Sequence, residues 1–172
     1  MLNDVLRTGK RTLCGRHGAP VVPAQTEEEV TMAVKVGRVA LWMAAIDDRA
    51  GGAADKLEPL SKAGANFEFV FSRRTPEQPG KGLMVVTPVK GAKVVRAATA
   101  AGFTKSDNLH GVRVEGTDKP GVTAKVTRML ADAGISFRAL SASAHGRKFV
   151  SHVAVDSAAD AAKAASVLRK LG

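Results

Sequence analysis

A repeat at an offset of 70 residues governs how this sequence can fold. Without a gap, Asp48, Gly51, Ala54, Leu60, Ala63, Gly64 and Phe67 align with Asp118, Gly121, Ala124, Leu130, Ala133, Gly134 and Phe137, and Arg49 meets Lys119. Seven identities over the 25 positions 48–72 exceed the ~2 expected from composition. The matches fall on a turn, a helix face and the glycine that ends the helix, where backbone geometry restricts the residue. The chain therefore reads as two copies of one small unit.

In the first copy, residues 38–46 form an apolar, partly alternating run, the period of a strand. The turn Asp47-Asp48-Arg49-Ala50-Gly51-Gly52 leads into a helix with Ala54, Leu57, Leu60 and Ala63 on one face, closed by Gly64. Asp48 is placed to accept the unpaired N–H groups at that helix start. Residues 66–74 and 83–89 alternate as strands around a turn at 76–82. Residues 90–101 are an alanine-rich helix ended by Gly102, and 103–110 return as a strand. The order is β-α-β-β-α-β. In the second copy the strand 112–116, the loop 117–121 and the helix 122–133 carry Val126, Met129, Leu130 and Ala133 inward. The strands 135–143 and 148–155 and the helix 157–171, with Ala158, Ala161, Ala165 and Leu168 on one stripe, complete it.

No fourth strand follows that last helix, so the second copy is one strand short. Val30–Val36 alternates cleanly, and only Gly37 separates it from the next run, too little for a hairpin. The expectation is a bent strand or two strands entering different sheets, with Val30–Val36 filling the open edge of the second copy, from this chain or a partner chain. The organisation expected is a basic extension over 1–29, a first module over 30–110 carrying the extra strand, and a second module over 111–172.

Composition narrows the function classes. The net charge is +10, but the excess is spread along the chain, whereas a nucleic-acid arm concentrates it. No run approaches the ~18 apolar residues of a membrane span. A single cysteine, Cys14, excludes a disulfide framework and multi-cysteine metal sites, and fits a reducing, cytoplasmic setting. Cys14 and His17 lack an orienting acid, and His110, His145 and His152 lack carboxylate partners at metal-ligand spacing. His152, inside an alternating strand, is a surface or interface residue. Pro79-Gly80-Lys81-Gly82 lacks the spacing of a phosphate loop and is a hairpin turn. No catalytic set, metal site or cofactor motif is present, and a non-enzymatic role is expected.

Asp118-Lys119-Pro120-Gly121, followed by Val122-Thr123-Ala124-Lys125-Val126 and then Leu130-Ala131-Asp132-Ala133-Gly134-Ile135-Ser136, resembles the first half of an ACT domain, the small-molecule-binding regulatory module. The first copy departs from the pattern with Ala50 in place of proline, and the second with Ser136 in place of asparagine. The resemblance implies a stand-alone tandem ACT protein over about 38–171. It implies an α+β fold of two ferredoxin-like modules, each an antiparallel sheet with helices on one face. By the same resemblance, ligands sit at interfaces between modules, against Asp48, Arg49, Gly51, Gly52 and Asn66 in one copy and Asp118, Lys119, Gly121, Val122 and Ser136 in the other.

The residues themselves suit that chemistry. Backbone N–H groups at a helix start favour an anion such as an amino acid's carboxylate, and glycine lets a ligand approach the backbone. An aspartate, Asn66 or Ser136 could meet an ammonium or polar group. The expected partners are an amino-acid-like small molecule, a second copy in a homodimer, and an amino-acid metabolic enzyme to which the chain could be accessory. Two other classes stay open. One is a purely structural oligomerisation module. The other is a nucleic-acid-binding ferredoxin-like module, which needs aromatic residues on an exposed sheet face, where the middle strands offer little beyond Trp42 and Phe149.

Overall fold

Alternating apolar residues make the strands, and the repeated turn chemistry spaces them alike in both copies. The computed structural model describes residues 33–171. The 1–29 extension with Cys14 and His17, and the segment from Val30 to Met32, lie outside those residues. The elements are β1 (Lys35–Val39), β2 (Trp42–Asp47), α1 (Gly52–Lys62), β3 (Phe69–Arg74), β4 (Lys81–Thr87), α2 (Ala92–Ala100), β5 (Thr104–Lys105), β6 (His110–Thr117), α3 (Val122–Asp132), β7 (Ala139–His145), β8 (Lys148–Val155) and α4 (Ala158–Leu168). Helices α1 and α3 keep the 70-residue offset at both ends. Each stops in the same way. Ala65 N–H donates to the Leu60 carbonyl and Gly64 N–H to that of Ser61, and Ile135 and Gly134 repeat this with Leu130 and Ala131.

The first sheet runs β3-β4-β2-β5 and the second β1-β6-β8-β7, with every neighbouring pair antiparallel. Both are ferredoxin-like. In the second sheet β1 occupies the place that β5 holds in the first, so the first module is inserted between two strands of the second. The expected completion of the second sheet is thus met within this chain, with shifted bounds. Gly37, read from sequence as the break, lies in mid-strand opposite Arg113. The chain changes sheet at Ala40 and Leu41, where Leu41 is buried among residues of both sheets. Glycine permits a bend without imposing one, and the burial of Leu41 decides where the turn falls.

Two further strands begin later than their alternation suggests, because the exits from α1 and α3 consume residues 65–68 and 135–138. The return strand of the first module shrinks to Thr104–Lys105, since Ser106 Oγ bonds Asn108 Oδ1 at 3.1 Å and turns the chain toward β6. Each module has its own core between sheet and helices. Leu60, Met84, Val86 and Phe103 centre the first, and Val112, Val126, Leu130, Val153 and Leu168 the second. A fully buried leucine such as Leu60 or Leu130 contributes about 1.5–3 kcal/mol. Ala54 and Ala158, read as inward, are exposed, while Ala53 and Ala164 pack inward beside them. Trp42 packs on the first core and Phe149 belongs to the second, so neither lies on an open sheet face. Among the described residues no helix is long and apolar enough to cross a membrane.

Val36 of β1, with Val34 just before the strand, packs against the second core. Val36→Asp places an unpaired charge at its edge and should lower stability by about 2–4 kcal/mol, read as the urea midpoint. Arg38→Ala, on an exposed position of the same strand, should stay within about 0.5 kcal/mol.

Candidate functional site

The repeated turn is built identically in both modules. Gly52 N–H donates to the Arg49 carbonyl and Val122 N–H to that of Lys119, each at 3.1 Å. The third turn residue is left-handed in each, Gly51 at φ 86° and Gly121 at φ 82°. That combination defines a type II turn, whose second position takes proline readily and whose third requires positive φ. Pro120 and Ala50 are therefore alternative occupants of one position. Both turns are tied to the neighbouring hairpin, by Asp48 N–H to the Gly80 carbonyl at 2.9 Å and Asp118 N–H to the Arg147 carbonyl at 2.8 Å.

The expected cap by Asp48 is not made. The glycine itself caps α1 and α3, with no side-chain hydrogen bond to either helix start, whereas Ser157 accepts from Asp160 N–H at the start of α4. Asp48 pairs instead with Arg74 at 3.0 Å, because β3 brings that guanidinium alongside. Around the first turn Arg49 holds Asp55 at 2.5 Å and Lys81 holds Asp47 at 2.7 Å. The Lys81 ammonium keeps the Asp47 carboxyl below its ordinary range. In the second module Thr117 and Lys125 stand where Asp47 and Asp55 do, and Lys125 Nζ reaches the Leu171 carbonyl at 3.0 Å. The two copies share the turn, its aspartate and its basic residue, but not the carboxylates that flank it.

The ten expected site residues divide into groups. Asp48, Arg49, Gly51 and Gly52 lie together at the start of α1, and Asp118, Lys119, Gly121 and Val122 at the start of α3. Asn66 and Ser136 are exposed and lie beyond the opposite ends of those helices. Eleven helical residues span about 16 Å, so neither polar side chain reaches the turn of its own module. Gly52 has a packing role, since a Cβ there would lie 2.1 Å from the Asp47 carbonyl oxygen.

A second feature lies between the modules, where the faces left open by the helices meet. Leu41, Val85 and Ala154 form a small shared core with Val39, Met43, Leu83 and Leu109 around it. Phe69 of β3 stacks on His152 of β8 with ring centroids 4.4 Å apart, and Glu68 reaches Arg113 at 3.4 Å. Buried Glu115 is held by Lys148 at 2.5 Å and Arg113 at 2.6 Å. Lys148 first, then Arg113, keep its carboxyl below the ordinary value against the opposing effect of burial. Beside these contacts is a cleft of about 440 Å³. His152, an interface residue with only 9% exposure, lines it.

Comparison with known proteins places a family model on part of this architecture. Residues 110–172 match the model of the ACT domain. The second module is an ACT domain. The first repeats its fold, turn for turn. The two-module fold is similar to the ligand-free regulatory subunit of aspartate kinase from Thermus thermophilus, with a TM-score of 0.57, 16% identity, and 82% of this chain and 96% of that one covered. It is similar to protein BT0572 of Bacteroides thetaiotaomicron at a TM-score of 0.61 and 14% identity, covering 81% and 98%. It also matches aspartate kinase of Clostridium acetobutylicum at 0.55 and 16%, covering 83% of this chain and 35% of the kinase. At these identities the likeness is one of fold. No curated protein sequence matches the chain.

The cleft between the modules is not legible in the sequence, although one signal for it is present. Leu83, Met84, Val85 and Val86 run without a polar break, the mark of a strand buried on both faces. Two predictions follow from these local geometries. Gly121→Ala meets nothing within 4 Å and should cost only the left-handed backbone penalty of about 1–2 kcal/mol, while Gly52→Ala, forced against the Asp47 carbonyl, should cost more. Urea titration of the two variants checks the order.

The second concerns acid. Burial, then the nearby Arg113 guanidinium, pushes the His152 imidazole below its ordinary value of 6.5. The unfolded chain takes up this proton near pH 6.5 and the folded chain only lower, so the stabilisation is full above about pH 6.5 and is lost as the pH falls through that value. Urea midpoints should drop between about pH 7.5 and about pH 5.5, and the drop should shrink in His152→Gln.

Proposed function

We propose that this chain is a non-catalytic regulatory protein that binds a small metabolite of the amino-acid class at its duplicated turns. The observation that carries this is the repetition of one type II turn, each delivering a helix without a side-chain cap, in a chain whose second module is an ACT domain. Uncapped N–H groups and the helix dipole suit a ligand carboxylate. Asp48, Arg49, Gly51 and Gly52 serve one site and Asp118, Lys119, Gly121 and Val122 the other. Because α1 and α3 hold Asn66 and Ser136 about 16 Å from these turns, a second module must bring the polar side chain, and a homodimer supplies it. Binding then favours one assembly over another by the difference in affinity for the two. A partner metabolic enzyme would read that change.

A thermal-shift screen of the purified chain against the twenty amino acids tests this. Saturation at ~100 times Kd should add roughly 2.7 kcal/mol for one amino acid, and Asp118→Ala, at an exposed position, should remove or weaken the response. A flat screen on a protein that melts cooperatively overturns the ligand reading in favour of an oligomerisation module.

A further inference from the structure

The cleft between the two sheets is unlike the turns in shape and in chemistry. Its walls come from both modules, with Met43, Phe69, Phe71 and Val85 on one side and Leu140 and Val153 on the other. At about 440 Å³ it falls within the range of small-molecule sites, which are apolar with a few placed polar groups. None of residues 48–52 or 118–122 lines it.

The polar groups present are specific. His152 is more than nine-tenths buried, and among the described residues nothing bonds its Nε2. Buried polar atoms in folded proteins are almost always paired, and His152 is among the residues lining the cleft, so a partner reaching its ring from there would satisfy that nitrogen. Two guanidinium groups, Arg73 and Arg138, also line the cleft, and no aspartate or glutamate does. Arg138 is held by Asp156, while Arg73 donates to the Arg74 carbonyl and, among the described residues, pairs with no carboxylate. A cationic rim over apolar walls attracts an anion and repels a cation. With no carboxylate in the lining, the ammonium of a zwitterionic amino acid would find only the neutral oxygens of Asn108 and Ser141 there, against two guanidinium groups.

We propose that this cleft binds a small amphipathic carboxylate lacking an amino group, its aromatic or branched apolar body between the sheets and its carboxylate hydrogen-bonded to His152 Nε2 and Arg73. The site is separate from the turns and does not depend on what they bind. A ligand there touches both modules at once.

The probe is 3-phenylpropionate, with phenylalanine and 2-phenylethylamine as matched zwitterion and cation. On the full chain, 3-phenylpropionate should raise the melting temperature and shift the His152 ring resonances in NMR spectra, and the two amines should shift those resonances far less. Arg73→Gln, at an exposed position, should weaken binding about tenfold or more, the usual worth of a charge-assisted bond. Ala139→Phe, on the exposed strand β7, should fill the cleft and abolish binding, with an unchanged melt in the absence of probe showing that it folds. Asp118→Ala should leave 3-phenylpropionate binding intact, which separates this site from the turns. Unmoved His152 resonances at millimolar 3-phenylpropionate overturn the proposal. So does an equal response to 2-phenylethylamine, or undiminished affinity in Arg73→Gln.

Discussion

The pairing of β1 with β6 holds the architecture together. Without it the second sheet would expose the edge of β6 and leave Val34 and Val36 off the second core. With it, the first module is threaded between two neighbouring strands of the second, and the chain crosses between sheets twice. Those crossings lie beside each other, since Ser106 N–H donates to the Leu41 carbonyl at 2.9 Å. Leu41 and Leu109 pack in the small shared core at the same place. The open faces of the sheets are brought together by this insertion, and the His152–Phe69 stack and the intermodule cleft follow from it.

Much of this was legible because a duplication makes each copy evidence for the other. The limits of α1 and α3, their glycine stops and the inward face of α3 appear in the sequence as written, since helix periodicity and stop signals are local. The edge strand of the second sheet was legible by counting, because a four-strand module with three strands must borrow one. Its limits were not. Local conformational freedom points to Gly37 for the break, but tertiary burial of Leu41 outweighs it.

Asp48 shows the same limit. Its position before a helix is right for a cap, but the turn places a left-handed glycine in that role, and Arg74, 26 residues away, takes the carboxylate. No local rule contains that contact. The stacking of the two open sheet faces was equally hidden. Alternation along one strand says which residues share a face, but not what covers it, and only the unbroken apolar run at 83–86 hinted at two-sided burial. His152 looked like a surface or interface histidine for this reason. Its burial depends on Phe69, a residue of the other module.

The insertion also sets an order of events during synthesis. Lys35 pairs with Glu115, some 80 residues further along the chain, so β1 leaves the ribosome long before its partner strand exists. The first module, whose strand pairings all lie within residues 42–105, can close while β1 waits. The second can finish only when the chain returns, at the loop-closure cost that slows distant pairings. Among the described strands, the first to be made waits longest for a partner.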